Sequence, residues 1–148
     1  MNKPVFSIVI PTFNSLELLR RALASALQQQ GVAMEVIVTD DSTTTDIADY
    51  VASLDDERLR YFRNQPSLGA VKNWNSGLAK ATGQYVILMH HDAAMSGDDY
   101  LQRVQRLMDG GADIVVSRVE VTIGDRVKPS HFTAAMKRFM LRHPSWLF

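Results

Sequence analysis

Three apolar runs in the N-terminal part of the chain each stop abruptly on polar side chains. Val5-Phe-Ser-Ile-Val-Ile10 runs into Pro11-Thr-Phe-Asn14, and Glu35-Val-Ile-Val-Thr39 runs into Asp40-Asp41-Ser42. Tyr85-Val-Ile-Leu-Met89 carries no charge and ends on His90-His91-Asp92, which predicts a fully buried strand with a polar rim. Between the runs the spacing turns helical. Leu16, Leu19, Leu23 and Leu27 mark one apolar face behind Asn14-Ser15, which supplies N-cap chemistry. Ile47, Val51 and Leu54 mark another behind the Thr43–Thr45 hydroxyls, which are placed to cap it. Strand and helix in alternation predict an α/β fold, with a mostly parallel central sheet and helices on both faces.

Farther along, Arg58-Leu-Arg-Tyr-Phe-Arg63 alternates as a short strand, and the segment 68–81 predicts a helix stopped by Thr82-Gly83. Val71, Trp74, Leu78 and Ala81 recur at helical spacing, so Trp74 is expected in the core. Ser96-Gly-Asp-Asp99 opens a further helix, whose buried face is Tyr100, Leu101, Val104, Leu107 and Met108. The helix dipole alone accounts for Asp98 and Asp99. Asp109-Gly-Gly111 closes that helix, and Ala112–Val116 predicts a strand. Arg118–Ile123 then alternates ahead of Gly124-Asp125 and Arg126-Val127, the pattern of a hairpin or bent edge strand. Phe132–Arg142 predicts a basic helix bracketed by His131 and His143. The apolar end Trp146-Leu-Phe148 is what a fragment of a longer protein would present.

Composition narrows the function classes. With 148 residues, 46% of them apolar, the chain is expected to be a single domain with a real core. Sixteen basic and sixteen acidic residues cancel, and no long basic run offers a groove for nucleic acid. The absence of cysteine excludes a disulfide framework and thiolate chemistry. No apolar stretch approaches the roughly 18–20 residues that span a bilayer, and no signal peptide is expected ahead of the first strand. A cytoplasmic protein is expected, with peripheral attachment at the inner face of the membrane as the variant. In open α/β sheets ligands bind outside the carboxyl ends of the strands, which is where the three polar rims fall.

Together, Ser7-Ile-Val-Ile-Pro-Thr-Phe-Asn14, Val36-Ile-Val-Thr-Asp-Asp-Ser42, Asn75-Ser-Gly-Leu-Ala-Lys-Ala-Thr-Gly-Gln-Tyr85 and Val86-Ile-Leu-Met-His-His-Asp92 resemble the family 2 glycosyltransferases in order and spacing, from residue 4 to about residue 120. The resemblance implies the Rossmann-like GT-A fold and transfer of a sugar from a nucleoside diphosphate sugar, a UDP-sugar first, to an acceptor hydroxyl with inversion. The acceptor would be a sugar, a lipid or a protein glycan. Carried over, Pro11, Thr12 and Asn14 line the nucleotide pocket, and Asp40 and Asp41 accept hydrogen bonds from base and ribose as rim carboxylates. His91 joins the same set. Lys72 either reaches a phosphate as a point charge or stands as a solvated surface lysine. Asp92 matches the last acid of the D-x-D motif and would bind a divalent metal, Mn²⁺ or Mg²⁺, with His90 beside it.

Two departures bear on activity. His90 stands where the family usually has its first acid, and Ala93 and Ala94 follow where further acids are common. The metal site is therefore expected to be weaker or shifted toward Mn²⁺. The glycine usual after the Asp pair is replaced by Ser42. Inverting members also use a downstream carboxylate as general base, and residues 126–148 contain no carboxylate, so no base is assigned. The competing reading is a non-catalytic sugar-nucleotide-binding or scaffold module with the same fold. A His-His-Asp metallohydrolase is disfavoured, because adjacent residues on an extended segment point to opposite sides.

Overall fold

The computed structural model describes residues 3–115, 117, 120–123 and 126–129, so the expected basic helix over 132–142 and its flanking histidines lie outside the described residues. The chain divides into two compact units, Met1–Gly110 and Gly111–Phe148. The first holds β1 (Phe6–Thr12), α1 (Leu16–Leu27), β2 (Met34–Asp40), α2 (Asp46–Ala52), β3 (Leu59–Arg63), α3 (Ala70–Leu78), β4 (Tyr85–Leu88) and α4 (Tyr100–Asp109). In the second, β5 (Glu120–Ile123) and β6 (Arg126–Pro129) pair antiparallel, as the alternation on either side of Gly124-Asp125 predicts. The strand expected over 112–116 does not form in its described part, Ala112–Val115.

The four strands of the first unit make a parallel sheet in the order β3-β2-β1-β4. The chain lays down β1, β2 and β3 in one direction and then returns to place β4 on the other side of β1. This reversal makes the carboxyl ends of β1 and β4 the topological switch point, where such sheets hold ligands. Every residue of β1 and β2 is buried, so both faces of the central sheet are covered. Ile8, Val9, Ile10, Val36, Ile37 and Val38 are fully enclosed and form the centre of the core.

β4 departs from the fully buried strand its composition predicts. Val86 and Leu88 are 47% and 37% exposed, and burial alternates along the strand. The reason is position: among the described residues β4 has a single strand neighbour, β1, so it forms an edge of this sheet.

Two glycines allow the close packing around β1. A Cβ on Gly83 would stand 2.7 Å from the Ser7 amide nitrogen and 2.8 Å from the Phe6 carbonyl carbon, so the turn before β4 can lie against β1 only without a side chain. A Cβ on Gly77 would run into Val9 Cγ1 and lie 3.1 Å from Thr39 Oγ1, so α3 sits directly on β1 and β2. At the amino ends of the strands the buried Glu35 accepts Ser7 Oγ at 2.6 Å, Thr82 N–H and Oγ1 at 2.7 Å each, and Arg60 Nη1 at 2.5 Å. Burial pushes this carboxyl up, but the bonds from Ser7, Arg60 and Thr82 outweigh it and bring it from an ordinary 4.5 down to about 2.

The helix caps differ from expectation. Ser15 and Thr45 hold the N-cap positions of α1 and α2 without a side-chain capping bond. The Thr45 hydroxyl donates to Asp49 Oδ2 at 3.1 Å, and the Asn14 side chain is drawn across to Thr43.

Candidate functional site

A cavity of ≈ 430 Å³ opens at the switch point, within the size range of small-molecule sites. β1 delivers Pro11, Thr12 and Phe13, the turn after β2 delivers Asp41, the loop into α3 and its first turns deliver Ser67, Gly69, Ala70, Asn73 and Trp74, and the end of β4 delivers His90 and His91. Of the residues expected from sequence, Pro11, Thr12, Asp41, His90 and His91 meet here. Asn14, Asp40, Lys72 and Asp92 are not among the lining residues.

The two adjacent aspartates have separate fates, because consecutive residues at a strand end face opposite ways. Asp40 is fully buried; its Oδ2 accepts the Tyr61 hydroxyl at 2.6 Å and its Oδ1 accepts Ser42 N–H at 2.8 Å. Burial and this carboxylate both push the Tyr61 phenol up. Asp41 lines the cavity, yet it is 2% exposed and not the open rim acid expected. Its Oδ1 accepts Asn64 Nδ2 at 3.0 Å and Leu68 N–H at 2.9 Å; its Oδ2 accepts Ser67 Oγ at 2.7 Å, Gly69 N–H at 2.7 Å and Leu68 N–H at 3.1 Å. Burial alone would raise this carboxyl, but the bonds from Leu68, Ser67, Asn64 and Gly69 hold it below its usual range. Asp41 is thus an ionised anchor for the loop leading into α3.

Asn73 completes that anchor, a residue to which the sequence reading assigns no role. It is 3% exposed; its amide donates to the Thr39 carbonyl at 3.1 Å and the Thr12 carbonyl at 3.3 Å, and its Oδ1 accepts Asn64 Nδ2 at 2.9 Å. One side chain therefore ties the ends of β1 and β2 to α3. No sequence pattern marks it: Asn73 falls off the stripe of Val71, Trp74 and Leu78, and only its burial shows that it must find partners. Trp74, expected in the core, instead lines the cavity, with the His90 ring set edge-on at 4.8 Å between centroids and 87° between planes.

Asn14 adopts φ +46 and braces two loops, its N–H donating to Ser42 Oγ at 2.8 Å and its Oδ1 accepting Thr43 N–H at 3.0 Å. Thr12 Oγ1 is buried with no hydrogen-bond partner among the described residues, and Thr12 lines the cavity. A buried hydroxyl in that state lacks the partner such groups normally have. His91 Nδ1 lies 3.3 Å from the Pro11 carbonyl, which can only accept, so Nδ1 is the donor in this contact. Lys72 is exposed on α3, and Asp92 is exposed just beyond β4.

The donor set fits a divalent metal only in part. Among the described residues no three His, Cys, Asp or Glu side chains converge on one point. Asp92 is the single carboxylate of the segment, so an ion there would need ligand oxygens to complete its shell, as Mg²⁺ and Mn²⁺ bound with phosphates commonly do.

A parallel sheet with a cavity at its switch point belongs to the α/β class that holds ligands at the carboxyl ends of its strands. Residues 7–146 match the family model described as glycosyl transferase family 2, and the chain belongs to that family. It is 33% identical over 114 residues to the GalNAc(5)-diNAcBac-PP-undecaprenol beta-1,3-glucosyltransferase of Campylobacter jejuni, a match covering 75% of this chain and 37% of that protein. The structure of S. aureus TarS 1-349 in complex with UDP-GlcNAc superposes with a TM-score of 0.63 at 25% identity, covering 71% of this chain and 31% of that one. The mannosyltransferase PcManGT from Pyrobaculum calidifontis, in complex with GDP-Man and Mn²⁺, shares the fold with a TM-score of 0.59 at 23% identity over 68% of this chain and 31% of its own. The chain spans about a third of the length of the curated relatives it matches.

Proposed function

We propose that this chain is the donor-binding portion of a glycosyltransferase that takes a nucleoside diphosphate sugar, UDP-linked first, and passes the sugar to an acceptor hydroxyl with inversion. The observation that carries this reading is the switch-point cavity in a family 2 chain, lined by Thr12, whose buried hydroxyl has no partner among the described residues, and by the Asp41-anchored loop. UDP-GlcNAc bound to the TarS relative supports a uridine donor. The Campylobacter relative, whose name specifies an undecaprenol-linked acceptor, supports a lipid-linked glycan as acceptor. Among the described residues no helix is long and apolar enough to cross a membrane.

In this reading the nucleoside lies at the Thr12, Asp41 and Gly69 end of the cavity, and the diphosphate lies toward His91 and Asp92. Thr12 Oγ1 hydrogen-bonds the base or ribose, while Asp41 and Asn73 hold the loop against which it rests. Lys72, which does not line the cavity, would meet a phosphate as a point charge only by reaching in from the exposed face of α3. Asp92 would hold the divalent metal, which when bound supplies charge stabilisation to the departing diphosphate. The acceptor's general base is assigned to no residue of this chain.

Calorimetry with UDP and Mn²⁺ tests the reading: saturable binding is expected, and no heat and no thermal stabilisation at millimolar ligand would sink it. His90 in place of an acid, with its ring against Trp74, favours the second reading of a non-catalytic sugar-nucleotide-binding module. UDP binding that gains nothing from Mn²⁺ would select it.

A further inference from the structure

We propose that Gln29 and Ser25 are positioning residues for the segment that carries Asp92, and this rests on the reading of Asp92 as metal ligand. Asp92 is exposed and lies in neither helix nor strand, so the path of its backbone decides where the carboxylate stands. On the upstream side the path is held where Met89 N–H donates to the Val9 carbonyl at 2.9 Å, and Ala93 N–H closes a turn on the His90 carbonyl at 3.0 Å. On the downstream side it is held from α1. Ser25 Oγ accepts Met95 N–H at 3.0 Å, Gln29 Nε2 donates to the Gly97 carbonyl at 2.6 Å, and Gln29 Oε1 accepts Leu101 N–H at 3.1 Å.

Nothing in the cavity explains these two side chains, which do not line it. Gln29 is 3% exposed and Ser25 7%, positions where an unsatisfied amide or hydroxyl would be costly. Three of their bonds go to the segment between Asp92 and the first residues of α4; the others stay within or just after α1, Ser25 Oγ to the Ala22 carbonyl and Gln29 Nε2 to the Ser25 carbonyl. Gly97 takes φ +76, the left-handed conformation in which its carbonyl meets Gln29. The amide of Gln30 continues the seam by donating to the Asp98 carbonyl at 2.9 Å. The end of α1 is therefore a template for the path beyond Asp92. Ser25 and Gln29 act on Asp92 through the backbone, by fixing where the chain runs at Met95, Gly97 and Leu101.

The test uses the full chain and titrates UDP with Mn²⁺ or with EDTA, for the parent protein, Asp92→Asn, Gln29→Leu and Ser25→Ala. Gln29→Leu and Ser25→Ala are each expected to lower the Mn²⁺-dependent gain in UDP affinity. The EDTA affinity should stay at the parent value, because the nucleoside end is built from other elements. Hydrogen exchange over residues 93–99 of the metal-free protein should quicken in both variants, and Asp92→Asn combined with either should lose nothing further. If Gln29→Leu does not fold, Ser25→Ala carries the same test. If Asp92→Asn removes the Mn²⁺ gain while both α1 variants keep it, the positioning role is overturned and the metal reading stands. If Asp92→Asn keeps the gain, the metal reading fails and this inference falls with it. Equal weakening with Mn²⁺ and with EDTA would reduce both residues to general packing and overturn the proposal.

Discussion

Asp41 Oδ2 accepts the backbone N–H of Gly69 at 2.7 Å, so the residue after β2 fixes the conformation of the turn that opens α3. Gly69 holds φ +81 and ψ 160 there, a region open essentially to glycine alone. Asp41→Ala should strand the donors of Asn64, Ser67, Leu68 and Gly69. The expected loss of stability is about 2–3 kcal/mol in urea denaturation, with weaker UDP binding alongside. Lost binding at parental stability would instead make Asp41 a direct ligand contact.

Thr12→Val separates binding from folding. The Thr12 hydroxyl has no partner among the described residues, so an apolar group of the same shape should leave stability unchanged or slightly raised. UDP affinity should fall by about 1 kcal/mol, the net value of one neutral hydrogen bond. Calorimetry beside thermal denaturation checks both, and unchanged affinity would remove Thr12 from the ligand's contacts.

Gly77→Ala places a methyl against Val9 and Thr39, both fully buried. Helix propensity favours alanine by about 1 kcal/mol, but overpacking a closed core costs about 1–3 kcal/mol, so a net loss is expected. A variant as stable as the parent would show that α3 can lift from the sheet without penalty.

Glu35 should leave its mark on acid denaturation. Its carboxyl is depressed from 4.5 to about 2 in the folded protein, so its contribution is complete above pH 4.5 and is lost as pH falls through about 2. Urea midpoints measured across that window should drop by the equivalent of about 2–3 kcal/mol, and Glu35→Gln should flatten this part of the curve. An unchanged profile in the variant would assign the acid sensitivity to other carboxylates.

Much of this architecture was legible along the chain. The ends of β1 and β2 fall within two residues of the apolar runs that predict them, and the helical stripe of Leu19 and Leu23 is buried as spaced. The site was legible in outline, because a polar rim follows each strand. Its internal division was not: Asp40 and Asp41 are chemically the same in sequence, and only their opposite sides at the strand end separate a tyrosine partner from a loop anchor. Trp74 and Val71 share a stripe with the core pattern, yet Val71 is 63% exposed and Trp74 faces the cavity.

Periodicity by itself determined the alternation of strands and helices, the parallel sheet and the rim on which the cavity opens, since these follow from local spacing and from burial on two faces. The tertiary structure decided which polar groups meet. Asn73 finds Thr12 and Thr39, Gln29 finds Gly97 and Leu101, and among the described residues β4 lies at a sheet edge with Val86 and Leu88 open despite its wholly apolar run. The physical reason is range: a hydrophobic period is written over neighbouring residues, whereas these hydrogen bonds join segments far apart in the chain and exist only once strand order has brought them together.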